Sequence, residues 1–425
     1  MGRSTMIFAS AGAAALAVGL AAAPLLAQPA GAGGGSGGGG PARYDMRAGT
    51  VSGVGAQGGG GGMGMMFGGG GGGNAVQHEL LLRLGSGRAA DRGAPKADHF
   101  MPPAAQLGRS VQLVSPREER GVDELPQRPK GRMLIYWGCG EHAPKGQPVV
   151  IDFSRLAAGQ VPPGLWTTTI VRDWGPTAQN SRSFARWPAE DGKYVRSDSS
   201  LPGPHKISSN FAPEISFTLA NDFMQPLRSR TMNLPGGAKN LMWSGIPLAT
   251  GYLATLFGGQ MNDRGDMGDM VMWSSSATRQ FGGGLADWLS PGQVAALVRD
   301  RTVLPPTATS CTIPAEVIRD AGQFRMGTLT AFGPEEDFAY PPRPAGARAW
   351  NPEWTARIRH RSTTSWMDMA GMEGMSGMGG QGGRYSRDDD EGDAPPPRNC
   401  TPRRGGLGGM LGGLGGLGGG GRNGC

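Results

Sequence analysis

The sequence predicts a mainly β protein with a sandwich-type core, one short helix, and disordered Gly-rich flanks. Three observations carry that prediction. Residues 239–276 hold three short apolar runs, at 241–243, 252–257 and 270–273, separated by Gly, Asn, Asp and Pro, as in successive strands joined by turns. Residues 214–220 alternate strictly, with Ile215, Phe217 and Leu219 set for a core and Glu214, Ser216 and Thr218 for the opposite side. The 77 Gly and 34 Pro crowd towards the ends, whereas all ten Trp lie between Trp137 and Trp366. Gly loses the most entropy on ordering and brings no side chain to bury, so the Gly runs cannot offset their own folding cost.

Taken in order, residues 1–27 read as a signal peptide. Arg3 is the basic start, residues 6–23 the apolar stretch, and Leu25, Leu26 and Ala27 a cleavage site. No later run is long and apolar enough for a transmembrane helix, so no span is expected once the signal is removed. Residues 28–75 read as a Gly-rich disordered linker and 76–130 as a peripheral segment. In that segment residues 78–84 supply an edge strand or a single helical turn, and 111–114 a further strand. The core is expected at 131–345, divisible into two sandwich subdomains at about 131–210 and 211–345. Strands are expected at 133–137, 149–153, 166–171, 184–187 and 206–208, besides those above. The period then changes. Ser290 as N-cap, Pro291 at the first helical position and Gln293 closing a capping box introduce Val294, Leu297 and Val298, which predicts a helix ending near Asp300. Residues 311–314 read as extended, and 324–332 as the last strand before Pro341 and Pro342 close the dense region. Residues 346–366 read as a peripheral aromatic segment, either irregular or a helix over 352–361 with Trp354 and Ile358 on one stripe. Residues 367–425 read as a Met/Gly-rich disordered tail.

Charge and cysteine content bound the function. The formal net charge of +7 comes from 41 basic and 34 acidic residues, which are interspersed, so no nucleic-acid footprint is present. Four cysteines in a chain addressed to an oxidising compartment permit disulfides, and Cys139 with Cys311 and Cys400 with Cys425 are the favoured pairs. A periplasmic or secreted location follows from the signal segment.

Trp243, the run Ile246, Pro247, Leu248, Ala249, Thr250, Gly251 and Tyr252, and the later Val271, Met272, Trp273, Ser274 and Ser275 resemble fibronectin type III-like and other immunoglobulin-like sandwiches. The wider chain is similar to exported proteins of Gram-negative bacteria, from which no activity carries over. The resemblance implies an immunoglobulin-like core used for binding or scaffolding.

Chemistry is sparse by comparison. Met63, Met65 and Met66, with Met367, Met369, Met372, Met375 and Met378, offer thioethers at short spacings, the donors that select Cu(I). His360, Asp368 and Glu373 could add harder ligands. Cys139, Glu141 and His142 sit within four residues but lack further ligands at short spacing, and a disulfide at Cys139 removes its thiolate. Ser274, Ser275 and Ser276 lack a nucleophile elbow. Asp263, Asp266 and Asp269 lack the spacing of a dedicated calcium loop, and Arg264, Gly265 and Asp266 match an adhesion tripeptide of little information. Glu190 with Asp191, and Glu335 with Glu336 and Asp337, are adjacent acids with no cleft visible in sequence. The expectation is therefore a non-enzymatic binding or envelope-scaffolding protein with an unknown protein or envelope partner, self-association through the Gly-rich tails being available. A copper-binding protein and a hydrolase with a dispersed site are the alternatives.

Overall fold

Period-two alternation in two charged segments builds the centre of the structure. In the computed structural model residues 40–56, 75–116, 131–157, 160, 167, 171–173, 175–189, 193–261, 267–281, 284–285 and 287–369 are described. In chain order the first strands are β1 (Ala42–Gly53), β2 (Val76–Ser86), β3 (Lys96–Phe100), β4 (Val111–Val114), β5 (Arg132–Trp137) and β6 (Val149–Asp152). A short helix α1 (Phe153–Ala157) precedes β7 (Ser183–Trp187), β8 (Tyr194–Val195), β9 (Gly203–Ser209), β10 (Ile215–Leu219), β11 (Ser229–Asn233) and β12 (Lys239–Trp243). Then come β13 (Gly251–Met261), β14 (Met267–Ser274), α2 (Pro291–Arg299), β15 (Ser310–Ile313), α3 (Ala315–Asp320), β16 (Phe324–Tyr340) and β17 (Trp354–Met369).

The described residues are mainly β, as the sequence predicts. Among them, fourteen strands form one mixed sheet, ordered β10-β9-β3-β4-β7-β2-β1-β17-β16-β13-β14-β5-β6 with β8 on β2, and β11-β12-β15 form a second. Two pairings are parallel, β1 with β17 and β14 with β5, which departs from the antiparallel ladders of an immunoglobulin sandwich. At one end the large sheet curls back on itself. Phe217 of β10 lies 6.2 Å from the Tyr44 ring of β1 and stacks at 4.9 Å on Phe338 of β16. This closes a core of Tyr44, Met46, Leu82, Leu113, Ile207 and Ile215. Leu80, Leu82 and Leu84 are fully buried there, and each contributes roughly 2 kcal/mol by leaving water. At the other end the small sheet covers one face of β13, β14 and β16, so Leu241 and Trp243 share a core with Tyr252, Trp273 and Leu329. Helix α2 packs on the opposite face, setting Val294 and Leu297 against Leu253 and Phe332. Both predicted capping-box bonds form: the Ser290 amide donates to Gln293 Oε1 at 2.8 Å, and the Gln293 amide to Ser290 Oγ at 3.2 Å.

Cys139 and Cys311 form the expected disulfide across 172 residues, joining the segment after β5 to the small sheet. Closing so long a loop is worth about 5 kcal/mol in the chain-entropy picture. Cys400 and Cys425 lie outside the described residues. No described helix is long and apolar enough to cross a membrane.

Several expected boundaries are corrected. The segment read as linker, 28–75, contributes the central strand β1. Residues 76–130 are not peripheral, because β2 pairs with β1 over ten positions and buries three leucines. Residues 352–361 form no helix and 346–366 are not peripheral: Trp354, Ala356 and Ile358 all enter the core and β17 sits between β1 and β16. The expected last strand, 324–332, runs on to Tyr340 through a register shift between Phe332 and Glu335, where Pro334 is tolerated. Met367 and Met369 end β17 rather than beginning a tail. The strand expected at 166–171 falls mostly outside the described residues.

Candidate functional site

The strands that bury Tyr44, Met46 and Ala48 on one side carry charges on the other, because successive side chains of a strand point to opposite faces. Register then gathers those charges. Asp45 lies opposite Arg357 of β17 and Arg83 of β2, Arg47 opposite Arg359, and Gly49 opposite both Arg361 and Glu79. On the far side of β17, Asp337 pairs with Arg357 and Glu335 with Arg359.

Asp45, 1% exposed, is the centre of this face. Its Oδ1 accepts from Arg359 Nη2 at 2.7 Å and Arg357 Nη2 at 3.2 Å; its Oδ2 accepts from Arg83 Nη2 at 2.7 Å and Arg47 Nε at 3.0 Å. Asp173, from the connection ahead of β7, takes Arg83 Nη2 at 2.8 Å, Arg359 Nη2 at 3.2 Å and Arg47. Trp288 roofs the cluster: its carbonyl accepts from Arg359, and its ring carries the Arg361 guanidinium at 4.0 Å. Arg361 in turn reaches Glu79 at 2.9 Å. Gly49 makes the roof possible, since a Cβ there would stand 3.1 Å from Trp288 and 3.0 Å from the Glu79 carboxylate. Burial alone would raise the Asp45 carboxyl, but the guanidiniums of Arg359, Arg47, Arg83 and Arg357 outweigh it and hold it at about 2.

Where this face reaches the β16–β17 connection it opens into a cleft of about 540 Å³. Arg43, Thr355, Arg357, Asp337 and Ala339 contribute from the strands. Pro342, Arg343 and Trp350 form one wall, and Gly175 with Pro176 another. The Trp350 indole is fixed by a 3.0 Å bond from Nε1 to the Pro341 carbonyl. Arg43 holds the Asn180 carbonyl and Oδ1 at 2.9 and 2.8 Å, and burial together with the nearby Arg357 charge lowers its pKa. Partial burial raises the Asp337 carboxyl against the pull of Arg357 and Arg359; burial and Asp337 raise that of Glu335.

The opposite face of β1 holds a second buried polar system. His205 Nε2 lies 2.8 Å from the Leu201 carbonyl and must donate to it, so His205 Nδ1 accepts from His99 Nε2 at 2.9 Å. His99 Nδ1 is then an acceptor for the Tyr44 hydroxyl at 2.7 Å. Every proton in this chain is assigned by one carbonyl. Burial, and for His99 the neighbouring His205, lowers both imidazole pKa values.

The residues singled out from sequence scatter. Met63, Met65, Met66, Met372, Met375 and Met378 lie outside the described residues, as do Glu373, Asp263 and Asp266. Met367 pairs in register with Met326, and Met369 with Phe324. His360 and Asp368 stand on the opposite face of β17 from Met367, since they are separated from it by odd numbers of residues. Asp368 is already held by Lys239 at 2.5 Å and Arg325 at 3.0 Å, and His360 is buried 3.9 Å from Glu336. His142 meets Glu316 at 3.1 Å, and Asp269 pairs with Arg132. Ser274, Ser275 and Ser276 are buried, with Ser275 Oγ accepting from the Ala254 amide at 2.9 Å. Of the adjacent acids, Glu335 and Asp337 face the charged side. Glu336 points away, accepting from the Ala220 and Asn221 amides at 3.0 Å.

Sequence reasoning missed the arginine and aspartate cluster altogether. Its signal was present: residues 43–48 and 354–361 alternate charged or polar with apolar, as outward and inward positions of a strand do. Trp354 and Ile358 share a face in a helix and in a strand alike; Ala356 between them distinguishes the two. No protein-family model matches the chain, and no curated protein is significantly similar to it.

Proposed function

We propose that this chain is an exported, non-enzymatic binding protein that holds an anionic ligand in the cleft beside Arg357. One observation carries the reading. Arg43, Arg343 and Arg357 converge on a single cleft, and of the carboxylates lining it Asp45 is already engaged by four guanidiniums and Asp337 stands opposite Arg357 in the strand register. Guanidiniums fixed in this way match carboxylate and phosphate oxygens. Export to the periplasm or beyond agrees with the signal-like N-terminus and with the Cys139–Cys311 disulfide. Thermal-shift measurements on the full mature chain across small carboxylates, phosphate and neutral analogues test the reading. Stabilisation by anions that fades with added salt supports it; indifference to every anion contradicts it.

A second reading, copper handling, is favoured by a different observation. Because β1 and β17 run parallel with Gly53 opposite Ser365, Ala56 and Met369, the last described residues before the two Met-bearing segments, lie at the same end of the sheet, where Met326 neighbours Met367. Cu(I) titration against a competing chelator, in the intact chain and with Met326 and Met367 replaced by Leu, tests it. No competition by the intact chain would sink it.

A further inference from the structure

Resting on the anion-binding reading, we infer that the cleft takes a carboxylated sugar, a uronate unit within an oligosaccharide. Charge counting selects a monoanion. The four guanidiniums of the buried cluster, Arg47, Arg83, Arg357 and Arg359, are matched by Asp45, Asp173, Asp287 and the neighbouring Glu335. What remains at the cleft is Arg43 and Arg343 against Asp337, a surplus of one positive charge. A carboxylate neutralises that surplus, whereas a phosphate dianion would overshoot it beside Asp337 and Glu335.

The lining selects the rest of the ligand. Trp350, with Phe338 and Tyr44, supplies the aromatic part of the lining, and its indole Nε1 is tied to the Pro341 carbonyl at 3.0 Å. A pyranose ring turns its C–H face to such a surface and its hydroxyls outward in the ring plane. Here Asp337, Thr355, Arg43 and Arg343 can meet those hydroxyls. An aromatic acid would leave these polar groups without partners, which costs affinity. At about 540 Å³ the cleft exceeds a single sugar ring and falls within the usual size of small-molecule sites, which points to an oligosaccharide segment.

The test is calorimetric titration of the full mature chain with a galacturonate trisaccharide, its neutral galactose counterpart, inorganic phosphate and benzoate. The expected result is that the uronate binds at least about tenfold tighter than the neutral sugar, the share of one charge-assisted hydrogen-bonded contact. Trp350→Ala should weaken uronate and neutral sugar together, with Trp350→Phe restoring much of the loss. Arg43→Gln should erase the preference for uronate by weakening the uronate more than the neutral sugar. Equal binding of uronate and neutral sugar overturns the inference, as does uronate binding that Trp350→Ala leaves intact. Binding of phosphate or benzoate without uronate overturns the sugar assignment and leaves the anion reading standing. Silence from all four ligands removes both.

Discussion

Tyr44 and Asp45 are neighbours in sequence and stand on opposite faces of one strand, each at the heart of a buried polar system. Asp45 is made tolerable by charge: four guanidiniums converge on it, and burial alone would have driven its proton back on. Tyr44 is made tolerable by neutrality: its hydroxyl ends a chain of two imidazoles whose protons are all assigned by the Leu201 carbonyl. Burying polar groups demands satisfied partners, and β1 meets the demand in two ways within 3.8 Å of backbone. The charged solution leaves a cationic surplus at its open end, where the cleft lies, and the neutral one is closed.

Breaking the charged side should have the largest effect. Asp45→Asn leaves four guanidiniums, those of Arg47 and Arg359 buried, around a neutral amide, and we expect a loss of roughly 3–5 kcal/mol, read from urea unfolding midpoints. A loss under about 1 kcal/mol would mean that solvent reaches the cluster.

Acid should then attack the neutral side first. His360, buried on the same side of the sheet as the His99 chain, is held down by burial from 6.5 to about 4, so the native state stays neutral where the unfolded chain takes up a proton. That contribution is complete above pH 6.5 and is lost as pH falls towards 4, on the order of 3 kcal/mol for this group alone. His99 and His205, lowered in the same direction, steepen the decline. Asp45, depressed from 3.8 to about 2, contributes stability that is present above pH 3.8 and fails only below it. Stability measured from pH 7 to 4 should therefore fall in wild type and in Asp45→Asn with similar slope, and less steeply in His360→Leu. A flat profile would contradict the neutral-chain account.

Tyr44→Phe removes the donor to His99 Nδ1 and should cost about 1–3 kcal/mol. Arg43→Gln, at the cleft and outside the Asp45 ion pairs, gives up the two bonds to Asn180 and should cost about 1 kcal/mol, so its effect on binding is read beside its own unfolding midpoint.

What the sequence made legible follows the same division. Elements whose apolar residues stand out from polar surroundings, such as β5, β10, β13 and the capped helix α2, were visible because burial and local propensity agree there. The disulfide between Cys139 and Cys311 was legible because both cysteines fall in the Trp-rich region. β1 and β17 were not, although they form the sheet's centre. Their outward positions are Arg, Asp and Thr, and β1 lies among Gly runs, so composition read as linker where alternation read as strand. The cleft was invisible for a stronger reason: Arg43, Arg343 and Arg357 are brought together by a parallel pairing of strands more than 300 residues apart, which no local pattern announces.

The surplus arginines of the cleft are expected to bind an anion. Calorimetric titration of the protein and of the Arg43→Gln, Arg343→Gln double variant with a galacturonate trisaccharide, at two salt concentrations, tests this most directly. The prediction is saturable wild-type binding that weakens with salt and at least about a tenfold loss in the double variant while it remains folded. Equal affinity in the two proteins would contradict it.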